Sequence, residues 1–204
     1  RSRMRLGLIG PANDRDDHLE RAVRFLSKER AVHRAVYLGL DPALERVVGA
    51  LASRAVGDDP GVGAVWQRAA VRCGQAAPAE IDRFLEAERE RLSLMVFGAL
   101  PGEDTRLIEL LCGKVAVMIH DKALLDEDDI ASATFLVFGK STEPMVKPIG
   151  SRWFLTPGPL ASGGVMVLDD GSGVVELSLY DDQQREVRRE RLMTPSDGRL
   201  KVRP

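Results

Sequence analysis

The chain has 204 residues and a mass of 22.4 kDa; 44% of its residues are hydrophobic and 29% charged, with 29 basic side chains against 31 acidic. A chain of this length buries roughly 70% of the surface it would expose unfolded, so it needs neither disulfides nor metals to fold. Cys73 and Cys112 stand in no CxxC or Cys/His spacing, which excludes a disulfide scaffold or zinc ribbon and points to a reducing compartment.

A net charge of −2 and ten aromatic residues (two Trp, two Tyr, six Phe) argue against a nucleic-acid binder working through a basic field. No window reaches eighteen apolar residues, so membrane insertion is not expected. Met4 reads as the native start, with residues 1–3 added ahead of it, and the expected location is cytoplasmic.

Residues 4–9 (MRLGLI) form a short apolar run, predicted as a buried strand, that breaks at Gly10-Pro11. Residues 14–30 follow as a helix, with Leu19, Ala22, Val23 and Leu26 on one face and Asp14, Asp16 and Asp17 at its start, where carboxylates favour the dipole. A strand over 33–38 ends at Gly39-Leu40. A second helix then opens with Asp41 as N-cap and Pro42 at the first helical position, carrying Leu44, Val47, Val48 and Leu51. This βαβα opening predicts a parallel sheet layered by helices.

Residues 57–92 hold two further helical patterns, around Val62, Val65, Trp66 and Ala69 and around Ile81, Phe84 and Leu85. They read as a helical excursion in which Trp66 and Phe84 pack in the core or between helices. Strands are predicted at 94–97, 114–119 and 134–138, and then at 145–149, 152–155, 165–168, 174–180 and 185–192, joined by Gly, Pro and Asp turns. A run of hairpins after an α/β half implies a second sheet. The predicted fold class is α/β, two packed mixed or antiparallel sheets flanked by helices in four layers. Trp153 and Phe154 are expected between the sheets. One domain spans 4–193, followed by a short tail, 194–204; from Gln183 onward seven Lys/Arg stand against three Asp/Glu, which suits an edge strand guarded by charge.

Five loops at predicted strand ends carry an ordered series: Gly10-Pro11-Ala12-Asn13-Asp14, Leu38-Gly39-Leu40, Gly98-Ala99-Leu100-Pro101, Val117-Met118-Ile119-His120-Asp121 and Phe138-Gly139-Lys140-Ser141-Thr142-Glu143-Pro144, with Thr156-Pro157-Gly158-Pro159 after them. In order and spacing this resembles the small single-domain branch of the calcineurin-like metallophosphoesterases, from Met4 to about Met193. The family's motifs are S-D-T-H-G-N, L-G-D, G-N-H-D or G-N-C-D, H-G, G-H-T-H-x-P and N-P-G-S. The spacing from His120 to Gly139, with a short helix over 126–131 between, is the strongest part of the match.

The resemblance implies two divalent metals held by seven side chains, which fall here on Pro11, Asn13, Leu40, Ala99, His120, Lys140 and Thr142. Only His120 keeps the family's identity. Pro, Leu and Ala have no donor atom, and Lys140 would bring an ammonium where a dication should sit, so the water activation and phosphoryl clamping of a two-metal site are not expected. Leu100 falls where many relatives carry the His that protonates the leaving group, so acid catalysis is missing too. A register slipped by one would place Asp41 in motif two but leaves motifs three and five unrestored.

His120 reads as a vestigial, hydrogen-bonded histidine, and His18 and His33 suit surface or capping roles. Lys140 is expected beside Asp41, Asp121 or Asp14, replacing the metals' positive charge. Alternatively Lys140, His120, Lys122, Ser141 and Thr142 form a site for a phosphate-like anion. There is no Walker A loop, GxSxG elbow or HExxH, and Gly163-Gly164 precedes a strand rather than a helix, against a dinucleotide site.

The resulting expectation is a metallophosphoesterase-like protein without a catalytic centre or cofactor, a pseudoenzyme acting as an interaction or regulatory module. Its precedent in kind is the retromer subunit of similar fold. Its partner is expected to be another protein, with no nucleic acid and no membrane insertion, and self-association is left open. The rivals are a binder of a phosphorylated small molecule or weak phosphoesterase at the old cleft, and a phosphodiesterase with a rebuilt single-metal site.

Overall fold

The computed structural model describes residues 3–57 and 59–194. The tail expected over 194–204 lies outside it apart from Thr194. Strands β1 (Arg5–Ile9), β2 (Arg34–Tyr37), β3 (Phe97–Ala99), β9 (Val165–Asp169), β10 (Glu176–Tyr180) and β11 (Glu186–Arg191) form a six-stranded sheet in the order β11-β10-β9-β1-β2-β3. The first three pair in parallel; β9, β10 and β11 add antiparallel. A second sheet has the order β4-β5-β6-β8-β7, built from β4 (Leu107–Leu111), β5 (Lys114–Ile119), β6 (Phe135–Phe138), β7 (Met145–Ile149) and β8 (Arg152–Thr156).

The period of two along each strand sorts side chains into layers. Leu6, Leu8, Val36, Leu38, Met166 and Leu168 face Met118, Phe135, Val137 and Leu155 across the gap between the sheets. Ile9, Ala35, Tyr37, Val165 and Val167 point the other way, under helix α1 (Asp16–Arg24) and helix α2 (Ala43–Val56), onto Leu19, Val23, Leu44 and Val47. Val117, Leu136 and Ala133 carry a smaller cluster on the far side of the second sheet, beside the short helix α5 (Glu127–Ser132). These are the four layers α-β-β-α. Trp153 lies in the inter-sheet core, but its neighbour Phe154 packs on the outer cluster, because adjacent strand residues face opposite ways.

The helix expected over 14–30 is shorter and changes pitch. Asn13 and Asp14 adopt left-handed φ of 50° and 65°, α1 starts at Asp16, and Phe25–Glu29 is a π-helical turn closed by Arg30 N–H on the Phe25 carbonyl at 3.1 Å. Pro42, not Asp41, occupies the cap position of α2; the Asp41 carboxylate caps from one residue earlier by accepting the Ala43 N–H at 2.9 Å. Residues 94–96 are a 3₁₀ turn that prolongs helix α4 (Pro78–Ser93), and the strand begins only at Phe97. Strand β4 had no counterpart in the sequence reading.

Helices α3 (Val65–Cys73) and α4 stack outside α2, with α4 against both. The fully buried residues on this pair are charged. Arg68 forks onto Glu88 through Nε at 2.6 Å and the terminal nitrogen at 3.1 Å, Arg91 adds a bond at 2.7 Å, and all three side chains are buried. Trp66 lies two residues from Arg68, about 200° round the helix. It is therefore 81% exposed, against the expectation of packing, while Phe84 is half-buried. Neither Cys73 nor Cys112 is in a disulfide. Among the described residues no helix is long and apolar enough to cross a membrane.

Candidate functional site

The five loops leave the C-terminal ends of β1, β2, β3, β5 and β6 and meet at one edge of the two sheets. They meet closely: a Cβ on Gly10 would strike the Gly158 carbonyl, and one on Gly139 would strike that of Leu38. Hydrogen bonds then fix the loops to one another. Leu160 N–H donates to the Pro11 carbonyl at 3.0 Å, and the N–H groups of Gly139 and Lys140 both donate to the His120 carbonyl, at 3.0 and 2.7 Å.

His120 Nδ1 lies 2.8 Å from the Leu38 carbonyl. A carbonyl only accepts, so Nδ1 carries the proton and Nε2 is the nitrogen with a lone pair. Lys140 Nζ meets Asp121 Oδ2 at 2.5 Å; the lysine is 64% exposed and the aspartate 16%. Asp121 is held below the usual carboxylate range by the Lys140 bond first, then by the Ala123 N–H, and the same pairing raises Lys140. Of the partners expected for Lys140, Asp121 is the one it takes.

Lys122 lies over the Phe138 ring, 5.2 Å from its centroid. Ser141 turns inward on its own loop and donates to the Glu143 carbonyl, and Thr142 is exposed. Leu40 is 42% exposed, Ala99 half-buried and Pro11 buried, while Asn13 projects on the surface. Leu100 is buried in the inter-sheet core. His33, directly ahead of β2, accepts the N–H of Arg5 at the start of β1 at 3.0 Å, and His18 sits on α1 beside Asp17.

Tyr37, which the sequence reading passed over, links the first two loops. Its hydroxyl accepts the Ala12 N–H and donates to Asp41 Oδ2, both at 2.9 Å. Its phenol is pushed up, chiefly by burial and further by the Asp41 carboxylate, so it remains a neutral donor. The one sequence signal was an aromatic residue directly ahead of the Leu-Gly-Leu-Asp turn.

The residues at the seven positions do not fit a pair of divalent ions. Three have no donor atom, one is an ammonium already paired, and His120 has a single free nitrogen. Dinuclear hydrolytic sites need bridging and terminal oxygen or nitrogen donors around both ions. Among the described residues no three His, Cys, Asp or Glu side chains gather in a metal-ligating group.

The two mixed sheets, their outer helices and the five-loop edge define the calcineurin-like phosphoesterase fold. The chain is similar to a structure from Streptococcus pneumoniae TIGR4 described as a predicted phosphoesterase, with a TM-score of 0.50 and 11% identity over 94% of this chain and 99% of that one. The chain is similar at lower TM-scores to two other structures: Vps29 of Entamoeba histolytica, complexed with zinc (TM-score 0.47, 16% identity, 92% of this chain, 98% of that one), and an archaeal phosphodiesterase (0.47, 11%, 92% and 99%). No protein-family model matches the sequence, and no curated protein matches it.

Proposed function

We propose that this protein is a non-catalytic member of the phosphoesterase fold that acts in the cytoplasm by binding another protein, as an interaction or regulatory module. The observation that carries this reading is the make-up of the loop edge: Pro11, Leu40 and Ala99 cannot ligate, and Lys140 is tied to Asp121 where a ligand side chain would reach a metal. Phosphoryl transfer on this fold depends on metal charge that such a set cannot hold. An exposed Trp66 on a helix pair held together by buried charge supports a surface kept for contact, since large aromatics are enriched at interfaces.

The test has two parts. Purified protein incubated with Mn²⁺ or Zn²⁺ and then desalted should retain no stoichiometric metal and should hydrolyse aryl phosphate monoesters and diesters at the rate of buffer. Cross-linked partners recovered from lysate with wild type should be lost with Trp66→Ser. Retained metal with turnover that disappears in His120→Ala overturns the reading.

A phosphate-binding role at the old cleft has less support. Lys140 is committed to Asp121, Lys122 to the Phe138 face and Ser141 to its own loop.

A further inference from the structure

At the opposite edge of the first sheet, where β1 begins and β9 ends, four guanidinium groups and two carboxylates line a cavity of about 190 Å³: Arg3, Arg5, Arg30 and Arg189 against Asp169 and Glu176. Each carboxylate is engaged. Asp169 takes Arg3 and Arg5, Glu176 takes Arg191, and Glu186 nearby takes Arg189 in a two-point fork at 2.9 and 2.8 Å. Arg30 has none of them. Its Nε is buried with no hydrogen-bond partner, and a buried donor left unmade costs free energy that a native structure normally recovers from a ligand, ion or water.

The local fold holds this group still. The π-helical turn over Phe25–Glu29 brings Arg30 back over the ring of Phe25, with its carbon 5.3 Å from that centroid and 4.9 Å from that of Tyr180. The two rings meet edge to face at 4.8 Å, and the Arg30 carbonyl accepts from Arg5. A planar guanidinium fixed on an aromatic floor is preorganised for two-point recognition of an oxyanion. π-Turns inside helices are frequent at functional sites. The volume lies below the 300–1,000 Å³ or so of pockets for larger ligands, which selects a small anion.

We infer that Arg30, with Arg5 and Arg189 beside it, forms a binding site for a small phosphorylated anion, separate from the five-loop edge. The site is independent of the reading proposed above, because it uses none of the loop residues. The phosphoryl group offers enough acceptor oxygens to take the Arg30 fork and a neighbouring guanidinium together, which a single carboxylate does less well.

Titration with inorganic phosphate and with a simple phosphate monoester, followed by calorimetry and by backbone amide shifts, tests it. Saturable binding is expected, with shifts at Arg5, Ser178 and Tyr180 and not at Gly139 or Lys140. Arg30→Gln should weaken binding at least tenfold and Arg189→Gln severalfold, while Arg30→Lys, which keeps charge without the fork, falls between wild type and Arg30→Gln. Lys140→Gln should bind as wild type. If Arg30→Gln melts early, the Arg30→Lys and Arg189→Gln ratios decide. The inference is overturned by absent saturation, by Arg30 and Arg189 variants that bind normally, by loss of binding in Lys140→Gln, or by succinate binding as tightly as phosphate.

Discussion

The imidazole of His120, at the end of β5 in one sheet, donates through Nδ1 to the carbonyl of Leu38, at the end of β2 in the other. The bond makes His120 a clasp between sheets whatever its chemical past. His120→Ala should lower stability by about 1 kcal/mol. Because the remaining donors do not make a metal site, millimolar Mn²⁺ should leave the urea midpoint of wild type unchanged. A midpoint that rises with Mn²⁺ in wild type but not in the variant would show a ligand role.

Tyr37 supplies a second link, between loops one and two. Tyr37→Phe leaves the Ala12 N–H without its acceptor and should cost on the order of 2 kcal/mol. The sign with pH follows from the raised phenol: a group whose proton is held more tightly when folded contributes fully below its ordinary value near 10 and loses that contribution as pH rises beyond it. Wild-type stability should therefore decline above pH 10, and Tyr37→Phe should lack that part of the decline. Denaturant midpoints of both proteins from pH 8 upward check this.

Glu88 is the hub between two arginines, and its removal strands them. Glu88→Gln should destabilise the protein by on the order of 3 kcal/mol. The Arg68 fork first, and Arg91 after it, hold the Glu88 carboxyl below its ordinary 4.5 despite burial. A depressed carboxyl contributes at neutral pH and loses its contribution as pH falls below that ordinary value. The gap between wild type and Glu88→Gln should narrow on acidification below pH 4.5, as read by thermal melts.

Lys140 predicts a contrast. Its pair with Asp121 is open to solvent on the lysine side, so screening removes most of its worth. Lys140→Ala and Lys140→Met should leave the denaturant midpoint within experimental error of wild type. A clear loss of stability in both would mean that the ammonium balances more of the loop edge than Asp121 alone.

Elements buried on both faces were readable from the chain. The runs at 114–119 and 134–138 are almost continuously apolar because layers cover them on each side. Strand β4 was not readable, since Ile108 and Leu110 point to solvent and Glu109 points inward to Arg34, the reverse of the usual alternation. The run at 94–96 is apolar for another reason, ending a helix rather than forming a strand. At the loop edge the glycine and proline skeleton showed in the sequence, and so did the Lys140–Asp121 pairing as one of several options. The tyrosine bridge did not, because Ala12 and Asp41 become its partners only after the strands align. The Arg30 cavity was hidden more completely, being assembled from the first strand, a helix end and three late strands.

The crowding at Gly10 and Gly139 separates two kinds of inheritance. Those positions answer to backbone against backbone, where not even a methyl group fits, so they tolerate no drift while the fold lasts. The positions beside them answer only to what the loops must hold. A chain on this fold could change every side chain those loops present and keep the same glycines, so the glycines report the architecture and say nothing about the chemistry beside them.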